Sequence, residues 1–329
     1  MRAVWILLMA VVGILFVATN NAVAAEPQGK TVSTRHHAKS SSKRKHVTLR
    51  RIRHHRHHRR HVAHVRRSHR AIDDDGDPIV RSAAVLVTDQ SSGTVLFERN
   101  ANAVMPIASI SKLMTAMVVL DAKPDMSEIL TISRADIDRL KGSHSRLRVG
   151  TELSRADMLH LALMASENRA ASALSRYYPG GRPAFVAAMN EKARGLGLTE
   201  THFEDPTGLN PANVSSARDL ARLVAVAHRY PDIRKFTTSS EYEVTIHGRE
   251  RRFHNTNRLV GKANWDIGLS KTGYISEAGK CLVMQAWMNN RPTIIVLLDS
   301  QGRLTRIGDA NRIRRWMEHA ALASNDTPG

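Results

Sequence analysis

Met105-Pro106-Ile107-Ala108-Ser109-Ile110-Ser111-Lys112-Leu113-Met114-Thr115-Ala116-Met117-Val118-Val119-Leu120 is the stretch that orders the rest of the chain. Leu113, Met117 and Leu120 recur at helical spacing, and Pro106 lies just ahead, so a helix is predicted over 109–121. Ser109 and Lys112 then share one face of its first turn. A serine hydroxyl is a weak nucleophile unless a neighbour takes its proton. Lys112 can take it only when neutral, which requires burial or nearby positive charge. A helix N-terminus also adds partial positive charge where an oxyanion would form. In isolation the pair reads equally well as a capping serine and a surface lysine, and Ser40 to Lys43 repeats the spacing in a polar context.

Two further motifs change that balance. Ser166-Glu167-Asn168 begins 57 residues after Ser109, and Lys271-Thr272-Gly273 begins 105 residues after Ser166. The ordered set S-x-x-K, S-x-N, K-T-G belongs to serine acyl-transfer chemistry. Ser166 follows the amphipathic run Met158 to Met164 and is expected in the loop between two helices, where it can relay a proton between a leaving amine and Lys112. The Asn168 amide can hold a substrate carbonyl. Glu167 is expected to alternate away and be exposed. Lys271, the candidate for the charge that depresses Lys112, is expected on an edge strand flanking a cleft. Lys271 and Thr272 would face a substrate carboxylate, and Gly273 would let a substrate backbone approach closely. The N–H groups of Ser109 and Tyr274 would form the oxyanion hole.

Outward from these motifs, Ala83 to Thr88 and Thr94 to Phe97 read as a hairpin around Ser91-Ser92-Gly93. Helices are expected over 133–140, 155–165, 168–177, 182–195 and 216–228. A second hairpin spans 240–256 with His247-Gly248 at its tip. Cys281 to Trp287 and Thr293 to Leu298 are apolar strands turned by Asn289-Asn290-Arg291-Pro292, and Asp309 to Leu322 is a closing helix. The order is two strands, a helical block, three strands and a helix. It is an α/β arrangement whose N- and C-terminal strands must share one antiparallel sheet.

The net charge of +19 over 329 residues is unevenly spread. Residues 26–71 hold 15 Lys/Arg against Glu26 alone, whereas 72–329 hold 33 bases and 29 acids. Ten of the 17 histidines also lie in 26–71. A segment this polar, continuing to residue 78, is expected to be disordered. It reads as a solvated tether, as an electrostatic patch over 30–70 for anionic envelope polymers or a membrane surface, or as a metal-binding histidine run. Before it, Arg2, the apolar Val4 to Ala18 and Ala22-Val23-Ala24 form an export signal over 1–25, cleaved after Ala24 or Ala25. The alternative is a retained anchor, for which the apolar run is short. Export implies a periplasmic protein that meets no nucleic acid. Cys281 is the sole cysteine, so no intrachain disulfide forms; its apolar neighbours suggest a buried thiol rather than a nucleophile.

With these residues in place, the chain resembles the low-molecular-mass penicillin-binding proteins, the D-alanyl-D-alanine peptidases, and most closely their periplasmic endopeptidases of the penicillin-binding protein 7 type. The likeness spans about residues 80–319. It includes Pro106 to Ala122, Leu140-Lys141-Gly142-Ser143-His144-Ser145-Arg146, Ser166 to Ala171, Arg249 to Thr256, Trp265 to Tyr274 and Gly308 to Trp316. The resemblance implies a β-lactamase/DD-peptidase-like fold over 79–329: a five-stranded antiparallel sheet flanked by a helical subdomain. It implies an acyl-enzyme on Ser109 formed from peptidoglycan muropeptides, with β-lactams as acylating inhibitors, and no metal or cofactor. It also implies an arginine near the last helix that binds the substrate's carboxylate, Arg306 or else Arg303. Carboxypeptidase relatives often carry a β-rich C-terminal domain and an amphipathic anchor. The chain ends soon after Trp316, so neither is expected, and an endopeptidase is favoured over a carboxypeptidase. A β-lactamase would need a positioned deacylating carboxylate; Glu204 and Asp205 do not match that spacing. A non-catalytic envelope-binding protein is the reading from another class.

Overall fold

Strands that are apolar on both faces need cover on both faces, and helices supply it on each side of one sheet. The computed structural model describes residues 72–73, 76–302 and 304–325. The export signal over 1–25 lies outside these residues, as does the basic segment expected over 26–78 except for its last few. Among those few, Ile72 bridges Pro78, and the Trp316 indole donates to the Gly76 carbonyl at 2.9 Å.

The strands are β1 (Ser82–Asp89), β2 (Val95–Arg99), β3 (Met105–Pro106), β4 (Ile129–Thr131), β5 (Glu152–Ser154), β6 (Val214–Ser215), β7 (Glu241–Ile246), β8 (Arg249–His254), β9 (Asp266–Ile275), β10 (Gly279–Met288) and β11 (Arg291–Ser300). The helices are α1 (Lys112–Asp121), α2 (Arg155–Met164), α3 (Asn168–Arg176), α4 (Gly181–Gly195), α5 (Ala217–Ala227), α6 (Pro231–Thr238) and α7 (Thr305–Asn325). The main sheet has the order β2-β1-β11-β10-β9, antiparallel throughout. The N-terminal hairpin thus closes onto the last strand, with Val85 opposite Leu297. Asn289 and Asn290, at φ of 51° and 60°, form the two-residue turn between β10 and β11, where short polar side chains tolerate the left-handed region.

Alternation divides the core in two. Ala84, Leu86, Val283, Val296 and Leu298 pack towards the helical block; Val85, Val87, Leu282, Met284, Ile295 and Leu297 pack against Ala310, Ile313 and Met317 of α7. Cys281 is fully buried, and burial pushes its thiol up to about 11, so it is no nucleophile. α1 is buried at every residue from Lys112 to Val119, not along a stripe, because it runs through the centre of the helical block.

Two segments differ from the sequence reading. The helix expected over 133–140 is only a 3-10 turn at Arg134–Asp136. Ser133 and Asp136 form a capping box that starts the turn, but Ile137 leaves it in an extended conformation and Asp138 accepts the N–H groups of Leu140, Lys141 and Ser143, so the turn does not propagate into a helix. α6 was not foreseen; Pro231 opens it at a position where its missing N–H costs nothing.

α7 is fastened to β1 by Asp309, which is fully buried. Its carboxylate accepts the N–H of Arg81 at 3.0 Å, the N–H of Ser82 at 2.8 Å and the Ser82 hydroxyl at 2.6 Å, and it pairs with Arg312. Asp309→Ala would leave the Ser82 N–H buried without an acceptor and Arg312 without its carboxylate. It should lower the urea midpoint by an amount equivalent to about 3 kcal/mol with an unchanged m-value.

Candidate active site

The chain reaches the site through β3, which pairs with β6, and then tightens into a 3-10 turn over Ala108–Ser111 before α1 begins at Lys112. Ala108 has φ of +50°, a left-handed conformation that costs a non-glycine residue about 1 kcal/mol. Two glycines hold it there. A Cβ on Gly208 would lie 1.9 Å from the Ala108 carbonyl oxygen, and one on Gly273 would lie 2.8 Å from the Ile107 oxygen and 3.2 Å from the Ser109 nitrogen. Gly273 is therefore required by the approach of β9 to the serine turn, whatever a substrate needs.

Ser109, Lys112, Ser166, Asn168, Lys271, Thr272, Gly273, Tyr274 and Arg306 come together although 197 positions separate the first from the last. Lys112 Nζ donates to Ser109 Oγ at 2.7 Å, to Asn168 Oδ1 at 2.7 Å and to the Thr207 carbonyl at 2.6 Å. Lys112 is 1% exposed and all three partners are uncharged. Burial pushes its ammonium down to about 7, against a smaller upward pull from Asp205 and Glu167. Lys271, also 1% exposed, donates to Ser166 Oγ at 2.8 Å and to the Thr272 carbonyl at 2.9 Å. It too is pushed well below the usual lysine range, first by burial, then by the charges of Lys112 and Arg306. Burial is thus the main cause of the Lys112 depression. Lys271, the charge expected to depress Lys112, is not among the causes of that depression; the repulsion runs the other way, the Lys112 ammonium lowering Lys271.

Ser166 follows α2 at φ of +60°, the left-handed position just past a helix end. Its hydroxyl is held by Lys271. Asn168 opens α3; besides accepting from Lys112, its Nδ2 donates to Ser143 Oγ at 3.0 Å, leaving one of two amide protons for another acceptor. Glu167 corrects the expectation of exposure. It caps α3 in a turn, where strand alternation does not apply, and it is buried, accepting from Ser145 Oγ at 2.6 Å with Arg146 4.0 Å away. Burial raises its carboxyl above the usual range.

Lys271, Thr272 and Gly273 lie on β9, the edge strand, as expected. Thr272 Oγ1 donates to Thr256 Oγ1 at 2.7 Å, and Thr256 N–H donates to the carbonyl that ends α2 at Met164, tying the two walls together. Arg306, in the first turn of α7, donates to the carbonyls of Gly273 at 3.0 Å and Cys281 at 3.2 Å; Arg303 lies outside the described residues. A cleft of about 590 Å³ opens over Ser109, Ser166, Asn168, Thr272, Tyr274 and Arg306. Lys141 pairs with Glu277 of the turn between β9 and β10.

Sequence reasoning missed Thr207, Ser143, Thr256 and Arg258. Thr207 acts through its carbonyl, which no side-chain motif encodes. Asp205 shapes its loop, accepting from the N–H groups of Thr207, Gly208 and Asn210 at 2.6, 2.5 and 2.7 Å. That carboxylate is spent on backbone, and Glu204 is exposed and paired with His202 at 2.7 Å, so neither is set to activate a deacylating water. Among the described residues no group of three or more His, Cys, Asp or Glu is placed to hold a metal, and no helix is long and apolar enough to cross a membrane.

Residues 72–302 match the peptidase S11 family, D-alanyl-D-alanine carboxypeptidase. The chain is 49% identical over 239 residues to the D-alanyl-D-alanine endopeptidase of Pseudomonas aeruginosa, covering 72% of this chain and 77% of that one. It is 46% identical over 243 residues to the D-alanyl-D-alanine endopeptidase of Escherichia coli, covering 73% and 78%. Its structure superposes on that of the Streptomyces K15 DD-transpeptidase with a TM-score of 0.68 at 27% identity, over 74% of this chain and 99% of that one. Family match, relatives and fold agree with the assembled serine–lysine site: the chain belongs to the peptidase S11 family of D-alanyl-D-alanine peptidases.

Proposed function

We propose that this chain is a serine DD-endopeptidase that hydrolyses D-alanine-containing peptide cross-links of peptidoglycan through an acyl-enzyme on Ser109. The observation that carries the reading is Lys112: buried, hydrogen-bonded to Ser109 Oγ at 2.7 Å, and with its proton affinity lowered to about pH 7. A neutral Lys112 takes the Ser109 proton as Oγ attacks the D-alanyl carbonyl. The N–H groups of Ser109 and Tyr274 receive the oxyanion. Collapse of the tetrahedral adduct breaks the C–N bond, and the departing amine takes a proton that returns from Lys112 through Ser166. Water then attacks the ester, gives up a proton by the same route, and releases the acid and Ser109. Asn168 binds the acyl-side carbonyl, and Thr272 with Arg306 reads the carboxylate beside the scissile bond. β-Lactams acylate Ser109 and leave slowly, since among the described residues that line its cleft there is no carboxylate to activate a deacylating water.

The endopeptidase reading is supported by the D-alanyl-D-alanine endopeptidases of P. aeruginosa and E. coli, to which the chain is 49% and 46% identical. The alternative, a carboxypeptidase releasing terminal D-alanine, has support in the family description and in more distant relatives such as the E. coli carboxypeptidase DacC, 32% identical over 250 residues. We place the protein in the periplasm on the strength of the export signal over 1–25, with the basic 30–70 segment engaging anionic envelope polymers or a membrane surface.

Ser109→Ala should abolish penicillin labelling and lower hydrolysis by about 10⁴-fold or more, and Lys112→Ala should lower acylation by about 10³-fold with the fold intact by circular dichroism. Retained acylation in either variant overturns the assignment. Since only neutral Lys112 accepts the serine proton, the rate of penicillin acylation should rise with pH and level off above about 7; a rate flat between pH 5 and 9 would contradict the role given to Lys112. Cross-linked muropeptide dimers should be converted to monomers, followed by mass, whereas release of terminal D-alanine alone would establish the carboxypeptidase.

A further inference from the structure

The charged side chains lining the Ser109 cleft are Arg258, Lys280 and Arg306, and among the described residues that line it there is no carboxylate. Arg306 is partly committed to the carbonyls of Gly273 and Cys281. The other two are not. Arg258 is exposed and makes no hydrogen bond or ion pair among the described residues. The Lys280 ammonium lies 4.4 Å from the centre of the Tyr274 ring and makes no ion pair among the described residues. The acid of the adjoining turn, Glu277, is taken by Lys141 and does not neutralise it.

These two cations bracket the reacting strand. Arg258 follows two residues after Thr256, whose hydroxyl binds Thr272. Lys280 stands on β10 in register with Tyr274 of β9. Uncompensated cations in a concave site focus positive potential and draw anionic groups into it. Arginine in particular offers paired N–H groups that match a carboxylate. One carboxylate beside the scissile bond needs one such partner, and Thr272 with Arg306 already supplies it. Two more cations imply a substrate with carboxylates farther from the reacting carbonyl. A departing D-alanine has none. A departing cross-linked stem continues into a second peptide that does.

We infer that Arg258 and Lys280 are positioning residues that select cross-linked peptides by binding the remote carboxylates of the leaving stem. The inference rests on the proposed cleavage of cross-links and names what in the cleft favours it over removal of terminal D-alanine. Neither side chain touches the reacting atoms, so both act through binding energy gained away from the scissile bond.

The test uses the full chain and two synthetic cross-linked peptides that differ only in whether the leaving stem's remote carboxylates are free or amidated. The wild type should cleave the free-acid peptide with kcat/KM about tenfold or more above the amidated one. The double variant Arg258→Ala/Lys280→Ala should cleave both at the lower value, with the change in KM and penicillin acylation of Ser109 within about twofold of wild type. Arg258→Lys/Lys280→Ala should recover part of the preference lost in the double alanine variant. Equal losses on both peptides and on penicillin acylation would mark a structural role and overturn the inference. Undiminished discrimination by the double variant would overturn it alone, leaving cross-link cleavage intact. Failure of the wild type to cleave either peptide while still reacting with penicillin would overturn the cross-link reading and this inference with it.

Discussion

The site depends on one constraint: three pieces of backbone must meet at the turn that carries Ser109. Ala108 is held left-handed between Gly208 on one side and Gly273 on the other, with no room for a side chain at either glycine. Asn213 completes the clamp. Its carbonyl accepts the Ile107 N–H at 3.0 Å, its Nδ2 donates to Ser111 Oγ at 2.9 Å, and its Oδ1 takes the N–H groups of Glu204 and Asp205. A strained residue persists only where its surroundings over-determine it. Here the surroundings are a loop organised by Asp205 and an edge strand of the main sheet. The position of the hydroxyl is therefore fixed by elements far apart in the chain.

Burial of α1 gives that turn its chemistry. A helix apolar all round can occupy the centre of the helical block, and its first residue, Lys112, is carried into the interior with it. A buried ammonium without a carboxylate partner favours losing its proton, which converts a packing arrangement into a base. Lys271 meets the same condition on the opposite wall, and both buried ammoniums donate only to uncharged acceptors. Glu167 and Asp205 lie near enough to pull on Lys112 electrostatically, yet each is occupied, by Ser145 and by loop N–H groups. Salt-bridging Lys112 to either would lock on its proton and remove the base.

The cleft's charge is as asymmetric as its geometry. Acids close to the site are turned into structure, whereas Arg258 and Lys280 have no acidic partner among the described residues. The near-neutral balance of residues 72–329 hides this distribution, because net charge says nothing about where compensation fails.

The sequence by itself determined the elements with local signatures. The apolar runs of β1, β10 and β11, the Asn289-Asn290 turn, the 240–256 hairpin and helices α2 to α5 follow from periodicity and turn chemistry within a dozen residues. The three motifs likewise named the serine, both lysines and Asn168, since these roles require particular side chains. What failed locally was decided by side chains competing with backbone. Asp138 takes the Leu140 N–H that a helix over 133–140 would have used, and Glu167 is buried by a capping turn invisible to alternation. Only the tertiary structure could bring in the Thr207 carbonyl, the glycine contacts on Ala108 and the Thr256 link between walls. Each is an interaction of backbone, or of a residue without a motif, between segments that no local pattern relates, and only packing decides which distant groups meet.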